Sequence, residues 1–183
     1  MEATATVQNE KYNRAAQILH WLILALLIAQ FTLAWTMPDI VEGTRPVGLI
    51  AWHLSFGTAI LFVMLVRLGW RLSHPAPPAP QHVPRVQQVV SRANHYLLYG
   101  LLILQPLMGW AHASARGWPV RLFGVIPLPH LLPTGSDFGL ALGDFHATTA
   151  LILLGLIALH VAGALYHRLV LGDRVLQRMV PGS

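Results

Sequence analysis

The 183-residue sequence contains no cysteine and has few charged residues. The absence of cysteine excludes disulfides, thiolate metal ligands, iron–sulfur clusters and covalent attachment of haem. Only 10% of the residues are charged, whereas soluble domains carry about a quarter, and 55% are hydrophobic. This composition excludes a disordered chain, a basic domain that binds nucleic acid, and most soluble enzymes.

The hydrophobic residues concentrate in four long stretches that contain little charge. A helix of about 20 apolar residues crosses a bilayer, so a chain of 183 residues has room for four crossings and short loops. We therefore expect an all-α integral membrane protein, in which four helices form a bundle within a single domain. The helices are expected at residues 15–36, 48–70, 93–113 and 143–169, and an earlier start of the fourth, after Ser136 or Asp137, is the alternative because residues 138–142 are also apolar.

Proline marks the connections between the expected helices. Residues 73–84 contain five prolines in twelve positions, which predicts an extended connector. Residues 114–142 form the longest loop, and their four scattered prolines argue against one regular helix. After Gly172, the segment DRVLQRMV has the composition for one or two turns of helix at the membrane interface.

The basic residues are distributed unevenly between the two sides of the expected bundle. Arg45, Arg116 and Arg121 lie on the side of the first and third loops. The other nine lie near the two termini and around the second linker: Lys11, Arg14, Arg67, Arg71, Arg85, Arg92, Arg168, Arg174 and Arg178. Because cytoplasmic loops are enriched in Lys and Arg, we expect both termini to be cytoplasmic. The net charge of +5 then reflects topology rather than a surface that binds polyanions.

Histidine is abundant where charge is scarce: ten histidines outnumber the seven acidic residues. Ionisable side chains at membrane depth are costly and are usually functional. Four histidines lie within or near the ends of the expected crossings: His20, His53, His146 and His160. His146 and His160 are 14 residues apart on the fourth helix, which places them on nearly one face and about 21 Å apart. One metal ion cannot bridge that distance, but two separate cofactors can occupy it.

Depth in the membrane suggests how the four histidines pair. His20 lies six residues after Arg14, and His160 lies eight residues before Arg168, so both are near the cytoplasmic side. His53 and His146 are both near the outer ends of their helices. Two imidazoles on opposite sides of a macrocycle are what a six-coordinate b-type haem requires. Hydrogen-bonded contacts between helices, zinc binding and proton transfer are the alternatives that this pattern leaves open.

Six short motifs are similar to those of a known family. They are ILHWL, WHLSFG, NHYLLY, DFHATT, LHVAGALYH and DRVLQRMVP, in this order over nearly the whole chain. Together they resemble the bacterial four-helix cytochrome b561 family. The resemblance implies two non-covalent b haems in the bacterial inner membrane and electron exchange with ubiquinone. It implies that the haem ligands are His20, His53, His146 and His160.

At least one member of that family is described as a superoxide oxidase, which passes electrons from superoxide to ubiquinone. The resemblance therefore implies an oxidoreductase with superoxide as a candidate donor. Positive side chains near the outer haem would attract this anion, and the candidates are Arg116 and Arg121. The candidates for contact with ubiquinone on the cytoplasmic side are Arg71, His74, His95 and His167. Binding of haem propionates or contact with lipid headgroups is the alternative for His95 and His167.

Two other functions remain open at this stage. The chain could be the electron-transfer subunit of a dehydrogenase or hydrogenase complex, in which case a protein partner should co-purify with it. It could also be a haem-free carrier that uses histidine to bind metal ions or protons, in which case the membrane fraction would show no b-type spectrum. The sequence contains no motif for binding nucleic acid.

Overall fold

The structure, a computed structural model, describes residues 11–78 and 83–182. Within these residues the chain is almost entirely helical, with one short β-hairpin and one 3-10 helix. In chain order the elements are α1 Arg14–Thr36, α2 Leu49–Ser73, α3 Arg85–Ala115, β1 Arg121–Leu122, β2 Ile126–Pro127, α4 Asp137–Leu169 and the 3-10 helix Leu176–Met179. Residues 79–82 of the expected connector lie outside the described residues.

Local sequence signals explain where two of the helices begin. The Asn13 side chain accepts a hydrogen bond from the Ala16 N–H (2.9 Å), and the Ser136 hydroxyl accepts one from the Gly139 N–H (3.2 Å). Both are N-caps, which satisfy backbone donors that the first helical turn leaves free. The Ser136 cap starts α4 at Asp137, which is the earlier of the two starts that the sequence predicted and lies six residues before residue 143.

The third helix is longer than the sequence predicted. It begins at Arg85, directly after Pro84, rather than at residue 93. The added turns, RVQQVVSR, are polar and charged on one side, so a search for apolar stretches does not detect them. α2 also extends three residues beyond its expected end at 70, to Ser73.

The four helices run alternately up and down, and each packs against the next one in the chain. The end of the bundle that carries the β-hairpin and the start of α4 is called here the hairpin end. The opposite end, which carries the start of α1 and the 3-10 helix, is called the tail end. The contacts between helices include Gln30 with His53, Arg67 with Tyr99, His112 with Gly139 and, closing the bundle, His20 with His160.

The outer surface of the bundle is suited to lipid. Within the described residues, α1, α2 and α4 are long and apolar enough to span a membrane. Large hydrophobic side chains on these helices are exposed, among them Ile18, Ile28, Val66, Leu151 and Leu159. A surface of this kind is stable against hydrocarbon but not against water. α3 has the length of a span but is less apolar, because its first turns are polar.

An apolar layer contributed by all four helices fills the middle of the bundle. It consists of Ile23, Leu27, Ile60, Met64, Leu98, Leu102 and Leu153. Met64 and Leu153 are 1% and 2% exposed. Leu153 lies halfway along the chain between His146 and His160, so this layer separates the two ends of the bundle.

α3 and α4 pack closely against each other at the hairpin end. A Cβ atom added at Gly139 would lie 2.5 Å from the Ala115 Cβ atom and 3.4 Å from the Ala111 carbonyl oxygen. Small residues allow such close packing, which replaces the hydrophobic effect as the force that joins helices within a bilayer. The carbonyl of Ala115 also accepts a hydrogen bond from the Gly135 N–H (2.8 Å).

We predict that Gly139→Ala destabilises the bundle, because the added methyl group requires α3 and α4 to separate. The expected loss is about 1–3 kcal/mol, measured as a lower thermal unfolding midpoint of the detergent-solubilised protein. Gly155→Ala on the same helix is the control, since a Cβ atom there meets nothing within 4 Å. This variant should be as stable as the parent or slightly more stable. Equal midpoints for the two variants would contradict the close packing at Gly139.

Candidate functional site

Four histidines form two pairs inside the bundle, one near each end. The ring centres of His20 on α1 and His160 on α4 are 6.0 Å apart, and these residues form the tail pair. The ring centres of His53 on α2 and His146 on α4 are 6.1 Å apart, and these form the hairpin pair. Each ring thus lies next to the partner that its depth suggested. The role of the four rings as metal ligands stays a prediction.

The separations within the pairs fit a metal ion held between two imidazoles. Each metal–nitrogen bond is about 2 Å long and each ring centre lies about 1 Å behind its nitrogen, so opposed ligand rings have centres about 6 Å apart. The 6.0 Å and 6.1 Å separations match this value. Both sites therefore have the donor set and the spacing that a haem iron with two axial histidines requires.

Gln105 and Thr149 orient one ring of the hairpin pair. His146 Nδ1 donates a hydrogen bond to the backbone carbonyl of Gln105 (2.9 Å). The Gln105 side chain donates to the His146 carbonyl (2.6 Å) and accepts from the Thr149 hydroxyl (2.7 Å). Because a carbonyl only accepts, Nδ1 carries the proton and Nε2 keeps a lone pair. Fixing the tautomer in this way is typical of histidines that bind metals.

His53, the other ring of the hairpin pair, and its neighbour Gln30 each have a buried polar atom without a hydrogen-bond partner among the described residues. His53 Nε2 accepts a hydrogen bond from the Gln30 side-chain nitrogen (3.1 Å). His53 Nδ1 and Gln30 Oε1 are buried and have no hydrogen-bond partner within the described residues. Buried polar atoms without partners are rare in folded proteins. Their occurrence at this site indicates that it accommodates a group which the chain itself does not supply.

A cavity lies beside the two rings of the hairpin pair. His53 and His146 line it together with two glycines, Gly57 and Gly109. A Cβ atom at Gly109 would lie 3.0 Å from His146 Cε1, so a larger residue there would press against the ring. The two glycines thus leave space beside the imidazoles, as a flat cofactor between helices requires.

A third histidine lies beside the tail pair. The ring centres of His95 on α3 and His160 are 5.0 Å apart, about 1 Å less than two opposed ligand rings require. The ring separation therefore favours His20 over His95 as the partner of His160. His95 Nδ1 donates to the backbone carbonyl of Ser91 (2.6 Å), which leaves Nε2 as the nitrogen with a lone pair. His95 remains close enough to contact a molecule bound beside the tail pair.

The β-hairpin brings Arg121 close to the hairpin pair. The Ser55 hydroxyl donates a hydrogen bond to the Arg121 carbonyl (2.9 Å) and accepts one from the Phe123 N–H (3.1 Å). Val120, the residue before the hairpin, lines the cavity that His53 and His146 also line, so the hairpin begins near this pair. The Arg121 side chain is exposed. It can therefore act on ions that approach this end of the bundle.

Arg116 has a different environment. Its Nη2 atom donates to the Val41 carbonyl (2.6 Å), and its guanidinium carbon lies 4.7 Å from the centre of the Trp118 ring. These contacts hold the side chain between the two loops of the hairpin end. Of the two arginine candidates, Arg121 is therefore the one whose side chain is less constrained by contacts with the protein.

The four candidates for quinone contact divide into two groups. His95 lies beside the tail pair, and His167 lies two turns beyond His160, where its Nδ1 contacts an Asp173 carboxylate oxygen at 2.6 Å. His74 stacks on Trp70 with ring centres 3.9 Å apart. Arg71 is exposed in the last turn of α2. No hydrogen bond or ring contact within the described residues joins this α2 group to His95 or His167.

Several polar residues of these sites were missed by the sequence reasoning. Gln30 and Gln105 contact the hairpin pair, and Tyr99 holds Arg67 near the tail pair. Each glutamine lies in the middle of an apolar helix, and a polar side chain at membrane depth is itself a signal of a functional contact. Ten histidines form a pattern that extends along the chain, whereas Gln30 and Gln105 are single polar residues within apolar helices.

The architecture defines the class of protein to which the chain belongs. A bundle of four membrane helices with paired histidines at two depths is the architecture of a b-type membrane cytochrome. The family model described as prokaryotic cytochrome b561 matches residues 11–182. The chain belongs to this family.

Relatives from other bacteria are similar over nearly their whole length. A Yersinia pestis protein named probable superoxide oxidase CybB is 33% identical over 178 residues, covering 94% of this chain and 97% of the relative. Cytochrome b561 homolog 2 of Escherichia coli is 27% identical, covering 95% and 93%. Cytochrome b562 of Cereibacter sphaeroides is 29% identical, covering 94% and 97%.

Family membership establishes the general biochemistry. The chain is an oxidoreductase of the prokaryotic cytochrome b561 type, embedded in a lipid bilayer, and it takes part in electron transfer. The family binds haem b, and the fit of the two histidine pairs agrees with this cofactor. A haem-free carrier of metal ions or protons is inconsistent with that cofactor.

Proposed function

We propose that the protein is a dihaem cytochrome that transfers electrons from superoxide, at the hairpin end, to ubiquinone at the tail end. The observation that carries the proposal is the presence of two imidazole pairs with ring centres 6.0 Å and 6.1 Å apart. His160 and His146 belong to different pairs and are 14 residues apart on α4, about 21 Å along the helix axis. Two cofactors at this spacing connect the two sides of a bilayer.

Each histidine pair holds one haem b in this proposal. His20 and His160 bind the haem at the tail end, and His53 and His146 bind the haem at the hairpin end. Bound haem iron supplies a centre that gains and loses one electron at a time. The hydrogen bond from His146 Nδ1 to Gln105 keeps Nε2 directed at the metal and increases the basicity of the ligand.

The orientation of the bundle follows from the distribution of basic residues. The tail end carries most of the Lys and Arg, so it faces the cytoplasm and both termini are cytoplasmic. The hairpin end then faces the periplasm, and the membrane is the bacterial inner membrane.

The positive charge at the hairpin end favours superoxide as the electron donor. It is an anion, and the exposed Arg121 side chain beside the hairpin pair raises its local concentration. Arg116 adds positive charge nearby, although its guanidinium is held by Val41 and Trp118. The name of the Yersinia pestis relative, probable superoxide oxidase, supports this donor.

Ubiquinone is the acceptor at the tail end. Two superoxide ions release two electrons and two molecules of oxygen, and ubiquinone takes up these electrons with two protons to form ubiquinol. His95 and the His167–Asp173 pair lie near the cytoplasmic surface, where they can hydrogen-bond the quinone and supply protons. Arg71 and His74 are the weaker candidates. They lie at the end of α2, and no hydrogen bond or ring contact among the described residues joins them to His95 or His167.

We predict that His20→Ala or His160→Ala removes one haem and leaves the other. The reason is that each change empties one imidazole pair, while the apolar layer keeps the hairpin pair intact. The measurement is the ratio of haem to polypeptide in the purified protein. The control is His130→Ala, which alters an exposed loop histidine and should leave the ratio unchanged. Two haems retained after either ligand change would refute the assignment.

We also predict that superoxide reduces the haem of the isolated protein rapidly, and that Arg121→Gln slows this reaction. The expected decrease is about threefold to tenfold at low ionic strength, and it should shrink at high salt because charge attraction is screened. The measurement is the absorbance change of haem after a superoxide pulse. Arg85→Gln, which removes the same charge at the tail end, serves as the control.

An absence of reduction by superoxide would contradict the proposed donor. If a dehydrogenase or hydrogenase then co-purified in a fixed ratio, the chain would instead be the electron-transfer subunit of that complex.

A further inference from the structure

Arg67 is a charged residue inside the bundle that neither the proposed electron donor site nor the acceptor site uses. It lies on α2, 14 residues after His53. The same number of residues separates His146 from His160 on α4. α2 and α4 run in the same direction, and His53 is level with His146, so equal spacing brings Arg67 level with the tail pair.

Tyr99 on α3 fixes the position of the Arg67 side chain. Arg67 Nε donates a hydrogen bond to the Tyr99 hydroxyl (3.0 Å), and the guanidinium carbon lies 5.8 Å from the centre of the same ring. Tyr99 itself packs against the apolar layer. The guanidinium is therefore held in one place by a partner that carries no charge.

The positive charge of Arg67 lacks a partner in the part of the chain that the structure describes. Its Nη1 atom is buried and has no hydrogen-bond partner there. Asp39, Glu42 and two further acids at the start of α4 lie at the hairpin end, and Asp173 contacts His167. A guanidinium inside a membrane protein is costly unless an anion compensates it. Since no carboxylate of the described residues is paired with Arg67, a molecule that the bundle binds is a candidate source of the anion.

We propose that Arg67 is an anchor for a propionate carboxylate of the haem at the tail pair. Haem b carries two such carboxylates on one edge, and arginine binds carboxylates through paired N–H groups. Arg67 lies at the level of His20 and His160, but it is on α2, whereas these histidines are on α1 and α4. A macrocycle held between the two rings would be wide enough for its edge to reach α2. This inference rests on the proposed haem at the tail pair and adds a residue that binds its acidic edge.

The anchor also has a redox consequence. A fixed positive charge beside the haem stabilises the reduced form, which carries one positive charge fewer. Arg67 therefore raises the midpoint potential of the haem at the tail pair and favours its reduction. This direction suits electron flow towards the tail end.

The test is a redox titration of the purified holoprotein. Arg67→Gln should lower the equilibrium constant for reduction of one haem about tenfold, or about 59 mV for a one-electron step. The affected component should be the one that His20→Ala removes. Arg67→Lys should restore most of the potential, Tyr99→Phe should cause a smaller decrease, and Arg85→Gln should cause none.

Loss of the tail haem in Arg67→Gln, together with its retention in Arg67→Lys, would also support the proposal. The positive charge at position 67 would then be what retains the haem. An unchanged potential in Arg67→Gln with both haems bound would overturn it. Equal loss of haem in both variants would also overturn it, because packing rather than charge would then be responsible. If the parent protein binds fewer than two haems, the proposed function fails instead.

A second measurement distinguishes haem propionate from a lipid phosphate as the anion. The parent and Arg67→Gln proteins are stripped of haem and reconstituted, in phosphate-free detergent, with haem b or with its dimethyl ester. If Arg67 binds a propionate, then the ester, which lacks the carboxylate charges, should reduce the difference in potential between parent and variant by more than half. The same difference with both haems would assign the anion to a phospholipid and overturn the proposal.

Discussion

Polar side chains inside a bilayer need partners, because hydrocarbon offers them none. This constraint governs the interior of the bundle. Four imidazole rings meet as two pairs, and each pair draws its members from different helices. α4 contributes a ring to both pairs, while α1 and α2 contribute one each. The pairs therefore join α4 to α1 near the tail end and to α2 near the hairpin end, across a bundle in which consecutive helices pack most extensively.

The apolar layer follows from the same constraint. Seven buried hydrophobic residues from all four helices lie between the two pairs. The layer separates the polar groups of the hairpin end from those of the tail end, so each site can be altered without the other. It also keeps water out of the middle of the bundle. A proton or an ion that enters this layer meets an apolar barrier, whereas electron transfer between the two proposed haems would need no polar group there.

The two sites differ in the groups that surround them. The hairpin pair is surrounded by neutral amides, since Gln30 contacts His53 and Gln105 contacts His146. The tail pair has the ring of His95 beside it, and Arg67 lies at the same level of the bundle. Positive charge near a redox centre favours its reduced state, and the environment is a main determinant of haem potential. The protein thus holds two similar histidine pairs in unequal electrostatic surroundings.

The main features of the fold are predictable from the sequence because hydropathy and helical geometry are local properties. The 14-residue spacing of His146 and His160 and the depths of His20 and His53 were enough to suggest the two pairs. The early start of α3 at Arg85 was missed because its polar first turns carry no apolar signal. The contact of Arg67 with Tyr99, 32 positions later, depends on the packing of α2 against α3. No pattern within one helix contains that information.

The central claim is that one chain holds two six-coordinate haems, one per histidine pair. It is tested most directly by electron paramagnetic resonance of the oxidised, purified protein, combined with the ratio of haem to polypeptide. We predict two haems per chain and two distinct low-spin ferric signals, as expected for iron with two axial imidazoles in two different environments. One haem per chain, or a high-spin signal from iron that lacks a second axial ligand, would contradict the claim.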